Sequence, residues 1–229
     1  MRCLLSITAF IFCLPVLIHP QAREVLRGEV RIDVELPSPL YMDEEIPLRP
    51  DTLRRRALEE SALYYGAMIY GWSFRYEIGE RARGIAEEIE LERLGSIVWG
   101  DPALRPTDAQ LLGNQFLLGT DYYLNEAQLR RRAAWKSGVV RSIQGYGTGP
   151  LGGPENEEGW LALKEEALKD AARAALRAFL RGQERNRPKT VSGFICLAAF
   201  PRYFNDSGYL KASGRFLAEI TEVKPFAAW

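Results

Sequence analysis

From Glu29 to Leu36 the chain alternates, with Val30, Ile32, Val34 and Leu36 on one side and Arg31, Asp33 and Glu35 on the other. A period of two predicts a half-buried strand. Pro37, Pro39, Pro47 and Pro50 then predict an extended connection. Over Leu53–Tyr70 the spacing changes. Leu58, Ala62, Tyr65 and Ile69 recur every three or four residues, which predicts a helix with Asp51 as its N-cap and Gly71 as its end. Next, Trp72, Phe74, Tyr76 and Ile78 alternate with Ser73, Arg75 and Glu77, a strand with an aromatic face. Gly79–Gly84 reads as a turn. Ile85, Glu87, Ile89 and Leu91 then alternate with Glu88, Glu90 and Glu92, completing a hairpin.

The middle of the chain has weaker periodicity. Ser96–Trp99 and Gln115–Leu118 read as short strands, with a loop at Asp101, Pro102 and Pro106 between them. Leu124–Lys136 fits strand or helix, and Gly145–Pro154 reads as a glycine-rich loop. Glu155–Leu180 predicts a long helix, with Leu161, Leu168, Ala172, Ala175 and Phe179 as its stripe. Glutamates crowd its start, arginines its end, and Gly182 follows. Val191–Phe200 and Tyr209–Val223 read as strands around a turn at Asn205–Gly208. The expected fold is α+β: mainly antiparallel sheet packed against two principal helices, possible as two βαββ-like halves, 23–94 and 120–229.

The first 22 residues stand apart. Arg2 is their only charge, Leu4–Ile18 is apolar, and Ala22 is small. That is the order of a secretory signal peptide, with 23–229 as a single exported domain. The alternatives are a retained anchor, for which fifteen apolar residues are short, and lipidation at Cys13, whose preceding residues are bulky. His19, the only histidine, and two of the three cysteines lie in this leader. The remainder has no histidine and a single thiol, Cys196, which sits in an apolar run and reads as a small buried hydrophobe. It carries 29 Lys+Arg against 30 Asp+Glu, with no basic excess to suit a nucleic acid.

These absences remove whole classes of chemistry from the exported part. Histidine triads, Cys–His pairs and histidine general bases have no histidine to use. A zinc site would have one soft ligand. No serine stands three residues before a lysine. Gly147–Gly152 formally matches G-x-G-x-x-G, but Glu155, Glu157 and Glu158 follow it and would repel a phosphate. Glu87, Glu88, Glu90 and Glu92 are the carboxylates a hydrolase would need, although a solvated hairpin face explains their alternation fully. Asp43-Glu44-Glu45 and Asn205-Asp206-Ser207 lack the spacing of a calcium loop. Trp72, Phe74 and Tyr76 read as core, and Tyr64, Tyr70, Trp99, Trp135 and Tyr146 as scattered aromatics that a pocket would have to gather.

Two arginine triplets remain. Arg54–Arg56 precedes Glu59-Glu60 at helix-pair spacing and reads as a solvated face. Arg130, Arg131 and Arg132 lack nearby compensation and are the candidate site for an acidic partner. The sequence therefore predicts an exported envelope or periplasmic protein that is not an enzyme, an interaction or structural module with no cofactor and no metal. Its expected partner is another envelope protein. Membrane contact would come only through a retained leader. The alternative expectation is a small-ligand or carbohydrate binder built on an aromatic pocket.

Overall fold

The computed structural model describes residues 24–34, 49–79, 84, 86–150, 159–181 and 188–225. The leader, the proline-rich connection over 35–48, most of the first hairpin's turn and the glutamates before the last helix lie outside the described residues. Among the described residues, three helices and two antiparallel sheets make an α+β fold. Among the described residues no helix is long and apolar enough to cross a membrane.

The smaller sheet has the order β1-β5-β4, with β1 over Val25–Asp33, β4 over Leu104–Leu112 and β5 over Gln115–Tyr123. The larger has the order β3-β2-β7-β9-β6, with β8 also on β9. Its strands are β2 (Trp72–Glu77), β3 (Glu88–Arg93), β6 (Arg141–Thr148), β7 (Pro188–Leu197), β8 (Arg202–Asp206) and β9 (Tyr209–Pro225). The expected sheet is thus two sheets. The larger sheet sets β3 and β2 of the first βαββ-like stretch side by side with β7, β9 and β6 of the second, while β1 leaves the first stretch to pair with β5.

The helix α1 (Pro50–Ile69) is buried on nearly every side from Glu60 onward, because it packs against β1 and β5 of one sheet and β7 of the other. Helices are usually buried all round only when covered on two sides. Its N-cap is Arg49, not Asp51. Pro50 opens the helix, and Asp51 lies in the first turn, where its charge suits the helix dipole. Gly71 ends it with a φ of +67°, and a Cβ there would lie 2.2 Å from the Ile195 carbonyl oxygen. Only glycine satisfies both constraints.

The helix α3 (Gly159–Arg181) lies across β6. The expected loop over Gly145–Pro154 is corrected here: Gly145–Thr148 belong to β6. A Cβ on Gly145 would lie 2.0 Å from the Ala171 oxygen, and one on Gly147 2.1 Å from the Ala171 nitrogen. These glycines let a helix backbone touch a strand backbone, and alanines at 167, 171 and 175 complete the fit. Close packing, not phosphate binding, accounts for them.

The segment that fitted strand or helix is the helix α2 (Glu126–Ala134), started by a capping box between Asn125 and Gln128. Ser96–Trp99 is not a strand, and Pro106 lies inside β4, where the register shifts between Pro106 and Ala109. A shift at an edge strand is where a proline, which donates no hydrogen bond, is tolerated. The β8–β9 turn is Ser207–Gly208, both at positive φ, while Asn205 and Asp206 end β8. Trp72, Phe74 and Tyr76 are buried on one face of β2, as their alternation predicts.

Candidate functional site

A cleft of about 560 Å³ opens between the two sheets. β1 supplies one wall through Glu29, Arg31 and Asp33. The segment Phe200–Asn205, which includes most of β8, supplies the other. Its floor comes from α1 and α3, through Glu60, Tyr64, Trp160 and Lys164. Cavities of this size suit small ligands or short peptide segments.

The floor contains a buried ion pair. Glu60 is 1% exposed and Lys164 is 3% exposed. Lys164 Nζ donates to Glu60 Oε1 at 2.6 Å, and Trp160 Nε1 donates to the same oxygen at 3.2 Å. The Tyr64 hydroxyl donates to Glu60 Oε2 at 2.9 Å. Lys164 Nζ also lies 5.1 Å from the ring centroids of both Trp160 and Tyr203, within cation–π range. The Tyr203 hydroxyl donates to the Lys164 carbonyl at 3.0 Å. A buried charge needs this kind of saturation, since an unpaired one costs several kcal/mol (about 3–5).

The tyrosines are held neutral. Burial, then the negative charge of Glu60, pushes the Tyr64 hydroxyl well above its ordinary pKa, and the same two causes raise Tyr203. Both therefore remain hydrogen-bond donors. Tyr64 stacks on Tyr203 at 6.0 Å and meets Phe200 edge-on at 5.1 Å. Phe200 in turn covers Gly28, where a Cβ would come within 2.4 Å of the ring. The rim is open. Glu29 accepts from Arg31 at 3.1 Å, Gln115 donates to Asp33 at 3.2 Å, and Arg202, Phe204 and Asn205 are exposed. The lining carries three carboxylates (Glu29, Asp33, Glu60) against three cations (Arg31, Lys164, Arg202), so its charge is balanced.

The arginines singled out from sequence are not brought together. Arg130 pairs with Glu126 one turn earlier at 3.8 Å, a compensation the sequence reading missed. Arg131 lies 5.5 Å from the Tyr70 ring centroid. Arg132 lines a small cavity with Met68, Trp135 and Cys196. Successive helix positions point about 100° apart, so a run of three cannot form one patch without help from another element. In the first triplet, Arg55 pairs with Glu59 at 2.9 Å, but Arg56 is buried rather than solvated. Cys196 is 1% exposed, and burial pushes its thiol up to about 12.

The hairpin carboxylates divide. Glu88, Glu90 and Glu92 are exposed on one face, opposite buried Ile89. Glu87 turns toward α3 and pairs with Arg177 and Arg181. Burial works to raise its carboxyl, but hydrogen bonds from Arg181 and Tyr76 overcome this and hold it below the usual range. Asp206 is engaged by Lys211 and Ser207. Among the described residues no group of three metal-ligating side chains converges. Of the scattered aromatics, Tyr64 reaches the cleft, Trp135 lines the small cavity, and Trp99 and Tyr146 are exposed.

A protein of Treponema pallidum (strain Nichols), described as "Uncharacterized protein", is 24% identical over 180 residues, covering 79% of this chain and 71% of the relative. No solved structure matches the chain. A family model matches residues 15–226, a span that takes in every described strand and helix and the cleft. The chain belongs to that family.

Proposed function

We propose that this chain is an exported, non-catalytic binding module of the cell envelope, and that its partner seats in the cleft between the two sheets. The observation that carries the reading is the division of labour within the cleft. Its buried ionisable groups are engaged with one another, whereas its rim and aromatic walls are open to a ligand. Glu60 already accepts three hydrogen bonds, and Lys164 is enclosed between a carboxylate and two rings. Such a floor holds a shape; it does not offer a proton donor or acceptor at the surface. Export rests on the composition of residues 1–22, and N-terminal sequencing of the protein from cells should find the mature chain starting near residue 23.

A photo-crosslinking residue placed at Phe204, on the rim, tests the cleft in the cells that make the protein. The same residue at Glu90, on the solvated face of β3, is the reference. Adduct formation at position 204 and not at 90 is expected. Equal yields at both positions, or none at either, would remove the cleft from consideration. A second reading, a neutral saccharide, is favoured by the balanced charge and by Tyr64, Trp160, Phe200, Tyr203 and Phe204 around the cavity. It predicts a small mass increment at position 204 instead of a protein-sized one.

A further inference from the structure

The two walls of the cleft are strand edges. Among the described residues, β1 is the end strand of its sheet and β8 pairs with β9 alone. Opposed residues in an antiparallel ladder alternate between bonded and non-bonded pairs. Leu124 N–H donates to the Glu24 carbonyl, and Val34 N–H to the Asn114 carbonyl, at the two ends of the β1–β5 ladder. The even-numbered residues of β1 therefore bond to β5. The N–H and C=O groups of Glu29, Arg31 and Asp33 turn the other way, and all three residues line the cleft.

The same parity applies across the cavity. Leu210 C=O accepts from Gly149, on the side of β9 away from β8, while Arg215 C=O accepts from Ala198 on the other. With the β8–β9 register, this turns the backbone groups of Tyr203 and Asn205 outward from β9. Both also line the cleft.

We infer that the cleft takes an extended polypeptide segment, added as a strand along the free edge of β1. This rests on the cleft being the binding site. A row of alternating backbone donors and acceptors is matched in full by another extended backbone, whereas a saccharide matches single groups. The edge over Glu29–Asp33 accommodates a segment of about five residues at roughly 3.3 Å each. Every second side chain of that segment faces the floor at Tyr64, Phe200 and Trp160, so the partner presents apolar or aromatic residues at alternate positions. Main-chain pairing supplies affinity, and the aromatic floor selects sequence.

The test uses the full chain and random heptapeptides displayed on phage. The best binder is synthesised unmodified and with alternate backbone nitrogens methylated. With the unmodified peptide at saturation, hydrogen exchange at the Glu29, Arg31 and Asp33 amides should slow at least about tenfold, and the methylated peptide should bind at least about tenfold more weakly. Arg31→Pro removes one outward N–H, a change an edge strand tolerates, and should weaken binding similarly. If that variant fails to fold, the exchange measurement on the unsubstituted chain still decides. Selection that yields no binder, binding that leaves these amides unprotected, or their protection by a dimer of the chain alone would overturn strand addition. A Phe204 crosslink that persists in any of those cases would leave the cleft standing as a binding site; its loss would overturn both.

Discussion

Glu60 accepts from Lys164, Trp160 and Tyr64, donors that lie on both long helices. Glu60→Gln keeps the shape and removes the charge, leaving Lys164 buried with no counter-ion. Urea unfolding should show a loss of about 3–5 kcal/mol, and adding Lys164→Met should restore much of it, because the cost lies in the unpaired charge. Equal loss in the single and double variants would show that packing, not charge, sets the floor. In the sequence Glu60 passes for a surface residue beside Glu59, and Lys164 for one more charge ahead of Glu165 and Glu166. Their positions give them away. Glu60 follows Leu53 and Ala57 on the stripe that continues to Tyr64, and Lys164 precedes Leu168 by one turn and Ala171 by two. A charge inside an apolar stripe on each of two helices is a signal for a buried pair, though spacing alone could not say that the two meet 104 residues apart.

At the scale of elements, the contact of α3 with β6 depends on two missing side chains. Gly147→Ala would place a Cβ 2.1 Å from the Ala171 nitrogen and 2.4 Å from the Ala167 oxygen. Backbone cannot yield as a flexible side chain does, so the helix must lift from the strand, at about 1–3 kcal/mol. Gly138→Ala, with nothing within 4 Å, is the control and should stay within about 0.5 kcal/mol in the same thermal or urea titration. The elements with a clean two-residue or four-residue rhythm, β2, β3, α3 and β9, were legible in the chain because each has a distinct buried side, and α1, buried almost all round beyond Glu60, was legible from its apolar residues at three- and four-residue steps. β4 was not. Beyond Leu104 all of its residues are exposed, so no hydrophobic alternation marks it, and Pro106 argues against it. β6 was masked by the glycines that close packing demands, since the same residues also spell a loop. The Arg130–Arg132 run does not gather into one patch for a related reason: sequence adjacency on a helix is angular separation in space.

Across the whole molecule, buried weak acids set an alkaline limit. Burial pushes the Tyr65 and Tyr122 hydroxyls up to about 12 and the Cys196 thiol from 9.0 to about 12, and it raises Tyr64 and Tyr203 as well. Below the ordinary values of these groups, folded and unfolded chains hold the same protons and full stability is present. As pH climbs through 9 and 10, the unfolded chain releases protons that the folded chain keeps, and stability falls progressively toward pH 12. Urea midpoints should fall across that range while tyrosinate absorbance lags behind that of free tyrosine. A flat midpoint with ordinary tyrosine titration would contradict the burial described for these side chains. The pairing that creates this interior is long-range. β1 waits for β5, β2 for β7, and β9, a strand of 17 residues, is hydrogen-bonded by β6, β7 and β8 together. Among the described residues, neither β6 nor β8 has a strand to pair with until the ribosome has delivered residues 209–225. Local contacts alone do not offset the entropy of closing such loops, and the larger sheet can be completed only once β9 has been made, at the end of synthesis. A nascent chain that cannot fold early stays threadable, and late closure of this kind would suit a polypeptide that has to pass through a narrow translocation pore before it acquires its shape.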